Sequence, residues 1–500
     1  MLTFGNVMNQ NAVKYRNKTA VVFEDTSYTY EELNERGNRL ANAFLAQGYK
    51  KGDKVAVMMK NNSTYIEIIV GLSKIGVIIV PINFRAVGPE IAYIVEHSES
   101  RAYITTPEYV AEYGRIGAVT AQIDTMLVVG ETYEAFLQSG APDVPPSDVV
   151  ETDTMYFGYT SGTTGKPKGV VISHRSRMLT ALVTAAEYKI DESDVHAVVG
   201  PIYHAAPWIF LMTQLTAGGT IIVEEAYRPE KFLADVQKYG ITNTFMAPTM
   251  YNFLVNLPEE TIKKYDASSL RVFISAGSAL PTQTKYKIVE YFPGVDLHEF
   301  YGATESAVTL NIKPKDISKD GSVGQPFPFV ECIIVDDDKQ PVKVGEVGEL
   351  YFKGPYLLDE YYRNPEATKQ AFWNGYFSVG ELAMQDTEGY YYIIDRKKDM
   401  LISGGVNIYP REIEDVLYHH PDVLEVAVIG VPDPVWGESV QAVVALKEGK
   451  TVTEQDIINF CEGRLASYKK PKSVRFVDEL PRNPSGKILK VELRSQYASV

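Results

Sequence analysis

Five hundred residues exceed what one hydrophobic core can serve, so the chain must divide into at least two domains. Its apolar and charged fractions, 45% and 23%, are those of a soluble globular protein, and a net charge of −15 argues against bulk attraction to nucleic acid or anionic membrane. The two cysteines, Cys332 and Cys461, lie far apart without metal-ligand spacing, which argues against a zinc module or a disulfide scaffold and fits a reducing cytoplasm.

The stretch Met1–Lys18 lacks a basic leader followed by an apolar core, so no secretion signal is expected. A strand is predicted over 20–25 and a helix over Thr29–Gly48, where Leu33, Leu40, Ala43 and Phe44 recur at helical spacing. Strand Lys54–Met59, helix Ser63–Ile75 and strand Val77–Ile82 follow. The run Ile66–Ile82 is the most membrane-like, but Lys74 interrupts it and Pro81 ends it, so it reads as a buried helix and strand. Strand–helix alternation implies a parallel sheet covered on both faces.

The same alternation returns over strand 195–199, helix 207–216, strand 220–223, helix 229–239, strand 243–246, strand 270–275, helix 281–291 and strand 296–301. From Gly324 the texture changes to short, turn-punctuated strands at 331–335, 348–353 and 390–394. The charge cluster Asp395-Arg396-Lys397-Lys398-Asp399 then precedes an α+β segment with a helix at 410–420, strands at 423–431 and 441–446, a helix at 454–465 and a strand at 473–477. The expected fold is α/β. A large N-terminal domain, 1–396, holds two doubly wound α/β lobes and a small β-rich subdomain, and a small mobile α+β C-terminal domain covers 397–500.

One stretch stands out, Tyr159 to Val170. Gly162, Gly165 and Gly169 permit close backbone approach. The hydroxyls of Thr160, Ser161, Thr163 and Thr164 join Lys166 and Lys168 in a dense array of donors and positive charge, which is phosphate-binding chemistry. A Walker loop is excluded, because Gly162 and Lys166 are too close together and Pro167 stands where a Ser or Thr should follow. Strand-like runs at 154–159 and 169–173 make it a phosphate-gripping hairpin; a solvated linker rarely carries two lysines and a proline between β-branched runs.

Other candidates are less specific alone. Tyr301-Gly302-Ala303-Thr304-Glu305 turns after a strand and places an aromatic, a hydroxyl and a carboxylate at the sheet rim, though Glu305 can equally be a solvated charge. Ser275-Ala276-Gly277-Ser278-Ala279 is a small-residue turn that a packing role would also explain. His204, in Pro201–Trp208, reads equally as a core histidine, and Lys487, in Pro481–Ile488, by itself as a solvated tail lysine.

Taken together and in this order, these segments resemble the acyl-adenylate-forming superfamily: acyl-CoA synthetases, firefly luciferases and peptide-synthetase adenylation domains. The resemblance spans nearly the whole chain and implies an AMP-forming acid–thiol ligase that uses ATP, Mg2+ and coenzyme A. It implies that residues 160–165 and Lys168 grip phosphates, that Ala276, Gly277 and Ser278 line the adenine pocket, and that Tyr301 and Gly302 lie against the base. It further implies that Thr304 contacts the α-phosphate, Glu305 holds magnesium, and His204 orients or shields the acid. Lys487 would bridge the carboxylate and the α-phosphate. Glu381 stands where the family carries a ribose-binding aspartate, one methylene longer, and Arg396 matches an arginine that reaches ribose and phosphate. Lys398 falls at the family's hinge. Gly404 and Gly405, in Gly404–Glu414, would wall the pantetheine tunnel, with Pro410 suited to a helical first turn. Tyr468-Lys469-Lys470-Pro471 would either help hold CoA phosphates or be a solvated turn.

Amino-acid substrates are disfavoured, because Ala205 and Ala206 stand where an ammonium-pairing aspartate would be. Ala205, Ala206, Ala276, Gly277 and Ala303 leave room for an acid larger than acetate, and Trp208, Phe245 and Tyr251 offer apolar walls. A medium- or long-chain fatty acid is the first expectation and an aryl or cinnamate-type acid the second. Stand-alone loading of a carrier protein, luciferase-like oxidation and a non-catalytic nucleotide sensor are the competing functions. The partners expected are the acid, ATP and CoA, without nucleic acid or integral membrane contact; the sequence leaves monomer and homodimer open.

Overall fold

The computed structural model describes residues 2–160, 167–403, 406–482 and 487–497. The chain crosses between two units, Met1–Glu331 with Phe352–Phe377, and Cys332–Tyr351 with Ser378–Val500. In the first unit the strands are β1 (Thr19–Phe23), β2 (Thr26–Thr29), β3 (Lys54–Met58), β4 (Ile78–Pro81), β5 (Ser100–Thr105), β6 (Thr125–Val128), β7 (Thr154–Thr160) and β8 (Lys168–Ser173). They continue with β9 (Val195–Val198), β10 (Thr220–Val223), β11 (Asn243–Met246), β12 (Val272–Ser275), β13 (Asp296–Tyr301), β14 (Leu310–Ile312) and β15 (Ser322–Pro326).

One sheet runs from the short strand Glu360–Tyr361 through β8, β7, β4, β3 and β5 to β6, parallel from β7 to β6 and antiparallel across the β7–β8 hairpin. The other runs β2, β1, β10, β9, β11, β12, β13, β14, β15. It is parallel from β1 to β13 and antiparallel at both flanks. Parallel order sends the segments after β9, β11, β12 and β13 to one rim, where α/β sheets bind ligands.

Local sequence explains the elements. Helix Tyr30–Ala46 starts at Thr29, whose hydroxyl and Glu32 form a reciprocal capping box, and it buries Leu33, Leu40, Ala43 and Phe44 as their spacing predicts. The membrane-like run is the core helix Ser63–Ile75, buried nearly all round, followed by the buried strand β4, and among the described residues no helix is long and apolar enough to cross a membrane. Lys74 is only 4% exposed and gives its ammonium to Asn34 at 2.6 Å and to Asn9. Burial lowers its pKa to about 7.

In the second unit, the strands order as Val406–Ile408, Leu401–Ser403, Gly437–Leu446 and Val423–Asp433, with Ser473–Val477 parallel on Gly437–Leu446. Alternate residues serve opposite faces. Val426, Val428, Ala442 and Val444 pack with Ile413, Leu417 and Ile457 from helices Pro410–Leu417 and Glu454–Phe460, whereas Ala427, Ile429 and Val443 pack with Leu493 of helix Lys490–Tyr497. Both of the first two helices end earlier than the sequence pattern suggests. Pro421 lies just beyond Leu417, and Gly463 takes a left-handed φ of 71° past Phe460.

The compact division also falls differently from a cut at 396. Residues 332–351 and 378–396 group with the C-terminal unit, because strands Glu381–Gln385 and Tyr391–Arg396 pair with each other and Lys397 bonds to Asp337 at 2.8 Å and Glu349 at 3.2 Å.

Candidate active site

The β7–β8 hairpin sets Thr160 opposite Lys168. Ser161, Gly162, Thr163, Thr164, Gly165 and Lys166, expected to grip phosphate, lie outside the described residues, as do Gly404 and Gly405. Both flanks of the loop are braced by one helix, Gly88–Ser98, which the strand–helix pattern above does not include although Pro89 in its first turn and Ile91, Ile94 and Val95 at helical spacing signal it. His97 Nδ1 lies 2.8 Å from the Tyr159 hydroxyl, and Tyr93, stacked on His97 at 5.3 Å, donates its own hydroxyl to Pro167 O at 2.9 Å. Burial lowers the His97 pKa, which keeps the imidazole neutral beside the loop.

At the end of β13, Gly302 cannot be replaced: a Cβ there would fall 1.8 Å from Ala307 O. The turn that follows presents Thr304 to β7, where a Cβ on Gly158 would lie 2.4 Å from Thr304 Cγ2. The Thr304 carbonyl accepts from Arg177 Nη2 at 3.2 Å, and Arg177 Nε donates to the Tyr156 hydroxyl at 2.9 Å. Arg177 is 1% exposed, with its Cζ 5.2 Å from the Tyr156 ring, and Tyr156 in turn stacks on Trp208 at 4.6 Å and 16°. A buried cation therefore backs the turn.

Glu305 is 9% exposed. Its backbone carbonyl accepts from Leu358 N at 2.7 Å and its Oε1 from the Tyr361 hydroxyl at 3.1 Å. Tyr361 pairs with Val170 of β8, and its ring lies 4.6 Å from Lys168 Nζ, so one side chain supports both the phosphate-loop lysine and the carboxylate. Burial, reinforced by the Glu305 charge, raises the Tyr361 pKa and keeps it a donor. Among the described residues no group of three or more acidic, His or Cys side chains could hold a metal. One anchored carboxylate still fits a hard ion that takes its other ligands from phosphate and water oxygens.

After β9, Asn61 fixes the His204 segment: its amide donates to Gly200 O at 2.8 Å and Glu224 O at 3.1 Å, and its oxygen accepts from Ile202 N at 2.8 Å. His204 is the N-cap residue of helix Ala205–Ala217, with its ring 4.2 Å from that of Tyr203. After β12, Gly277 takes a φ of 96° and Ser278 is exposed, while Glu299 behind them accepts from Leu280 N at 2.8 Å and pairs with buried Lys285 at 2.5 Å. Two expected pocket walls are core instead. Trp208 and Tyr251 have no exposed surface; Trp208 is spent on the Tyr156 stack, and Tyr251 donates to Ile274 O.

In the second unit, Glu381 and Arg396 are register partners on adjacent strands, with Nε and Oε1 3.7 Å apart. Asp395 accepts from Arg396 N and Arg411 N, tying this edge to helix Pro410–Leu417, whose first residue is Pro410 as expected. Lys398 is exposed, yet partial desolvation of its ammonium lowers its pKa, with Lys487 among the cations that add to the effect. Lys487 itself is exposed. Lys469, offered as a CoA-phosphate ligand, bonds both oxygens of Glu412 at 2.7 Å.

Comparison with known proteins agrees along the whole chain. The model of the AMP-binding enzyme family matches residues 8–362 and that of the AMP-binding enzyme C-terminal domain residues 412–487. The chain is similar to feruloyl-CoA synthase from Amycolatopsis sp., at 36% identity over 96% of each chain. It is similar also to the long-chain-fatty-acid–CoA ligase FadD13 of Mycobacterium tuberculosis, at 37% over 95% of this chain and 94% of the other. Among solved structures it resembles o-succinylbenzoate CoA synthetase (MenE) from Bacillus subtilis in complex with its acyl-adenylate intermediate, with a TM-score of 0.87 and 28% identity over 98% of both chains. The same synthetase has been solved with ATP and magnesium ion, at a TM-score of 0.88, 28% identity, and 98% and 99% coverage.

Proposed function

The chain belongs to the AMP-binding enzyme family, among its acid–CoA ligases, and from that premise we propose that it joins a carboxylic acid to CoA through an acyl-adenylate, releasing AMP and pyrophosphate. The observation that carries this reading is the braced turn at Thr304–Glu305, where a hydroxyl and a carboxylate are fixed against the phosphate hairpin by Arg177, Gly158 and Tyr361.

In the first half-reaction the acid's carboxylate attacks the α-phosphorus of ATP and pyrophosphate leaves. Repulsion between anions is the obstacle. Thr304, Lys168 and Lys487 donate to oxygens on which charge grows, from a frame that needs no rearrangement at Thr304. Glu305 would hold a magnesium ion, which supplies further neutralisation of phosphate charge when bound. Tyr301, Gly302 and the 276–278 turn flank the base, Glu381 and Arg396 take the ribose, and the His204 ring closes over the acid. In the second half-reaction the C-terminal segment pivots at Lys398, Lys487 withdraws and the Gly404–Gly405 segment admits the CoA thiol, which attacks the acyl carbonyl and displaces AMP.

The test is pyrophosphate release with magnesium ATP and a panel of carboxylic acids, with and without CoA. Release that depends on the acid, an acyl-AMP trapped when CoA is omitted and acyl-CoA when it is present are expected. Silence across fatty, aryl and short acids would sink the reading.

A further inference from the structure

Resting on that reading, we infer that the acid is compact, a single aromatic ring or a short chain, because an aromatic floor closes the sheet beneath the acyl site. The helix capped by His204 carries Ala206 and, one turn later on the same face, Phe210. Ala206 packs against the buried cluster that contains Phe210, Phe245, Ala276 and Phe300. On the sheet, Ser275 pairs with Glu299, so Ala276 and Phe300 are next to each other at the rim. Phe245 pairs with Ile274, two residues deeper on the same face.

The three rings meet there. Phe210 and Phe245 stack at 5.3 Å and 9°, and Phe300 lies 5.9 Å and 6.0 Å from them. All three are at most 7% exposed. Small residues thus line the mouth on both sides, Ala206 on the helix and Ala276 on the sheet, and a stacked aromatic pair lies one helical turn or two strand residues below, about 6–7 Å in either direction. A planar ring can enter edge-on between the alanines and rest against the phenylalanines. A long alkyl chain would have to displace a ring pair from a close-packed core.

The experiment measures kcat/KM for acid-dependent pyrophosphate release with benzoate, cinnamate, butanoate, hexanoate, octanoate, dodecanoate and hexadecanoate. It compares the full chain with Phe245→Leu and Phe210→Leu, which lower the floor while keeping it apolar. Expected are a maximum among the aryl and short acids and a fall of about a hundredfold by dodecanoate, the scale on which apolar pockets discriminate chain length. Either leucine variant should raise dodecanoate relative to benzoate by about tenfold. A wild-type maximum at dodecanoate or hexadecanoate overturns the inference while leaving adenylation intact. An unchanged length profile in folded leucine variants overturns the floor assignment, and no release with any acid overturns the adenylation reading on which it rests.

Discussion

In the first unit Thr304 and Glu305 are gripped from three directions, by a guanidinium 1% exposed, by the bare backbone of Gly158 and by the Tyr361 hydroxyl. In the second unit Glu381 and Arg396 face each other at 3.7 Å, with the arginine side chain 42% exposed, and Lys487 is exposed to solvent. The proposed mechanism assigns the two regions different work accordingly. Groups that must meet phosphate charge in a fixed geometry are preorganised where the surroundings are dry and fields are strong. On the proposed mechanism, the group that serves one half-reaction and leaves for the next is kept at the exposed surface, where water can replace its contacts as it moves.

Lys487 should show the largest effect, because in this division it is the one cation supplied only for adenylation. Lys487→Ala is expected to slow adenylate formation about a hundredfold or more, while thioester formation from a supplied acyl-adenylate stays within a few fold. Single-turnover measurement of each half-reaction checks it. Equal slowing of both would mean that Lys487 is part of the permanent frame.

Arg177 tests the rigid side. A lysine in its place cannot reach both the Tyr156 hydroxyl and the Thr304 carbonyl, since an ammonium is a point donor and a guanidinium a planar fork. Arg177→Lys is expected to lower the rate of adenylate formation about tenfold, the scale of one lost charge-assisted hydrogen bond, with AMP affinity unchanged because the base and ribose contacts lie elsewhere. Tyr156→Phe, which removes only the acceptor that orients the guanidinium, should move the rate in the same direction by less. Loss of AMP affinity in step with the rate would reduce Arg177 to a packing residue.

The same contrast explains what the sequence could disclose. The residues proposed to touch substrate lie at strand ends or in the turns beside them, so Thr160, Thr304, Glu305, Glu381 and Arg396 could be singled out, and in the first unit the strand–helix alternation was readable from apolar spacing. Their supports could not be. Arg177 reaches Thr304 across 127 residues, Tyr361 reaches Glu305 across 56 and Asn61 reaches Ile202 across 141. Each sits inside a helix, strand or loop where residue type alone suggests a surface or a core. Trp208 and Tyr251 failed in the opposite sense, because a large apolar side chain looks the same in a sequence whether it lines a pocket or fills the core.

Glu381→Asp should give the smallest effect and the sharpest test of the loose side. Shortening the side chain by one methylene restores the aspartate that the family resemblance implies and lengthens the gap to Arg396, a pair already at 3.7 Å and partly in solvent. Pairs of that kind contribute about 0–1 kcal/mol, so KM for ATP should change by no more than about fivefold, with the adenylation rate unaltered. Initial rates across an ATP series measure both. A rate change as large as that of Arg177→Lys would show that the ribose carboxylate is held as tightly as Thr304, and the contrast between a dry, braced turn and a loosely held, solvent-exposed pair would no longer stand.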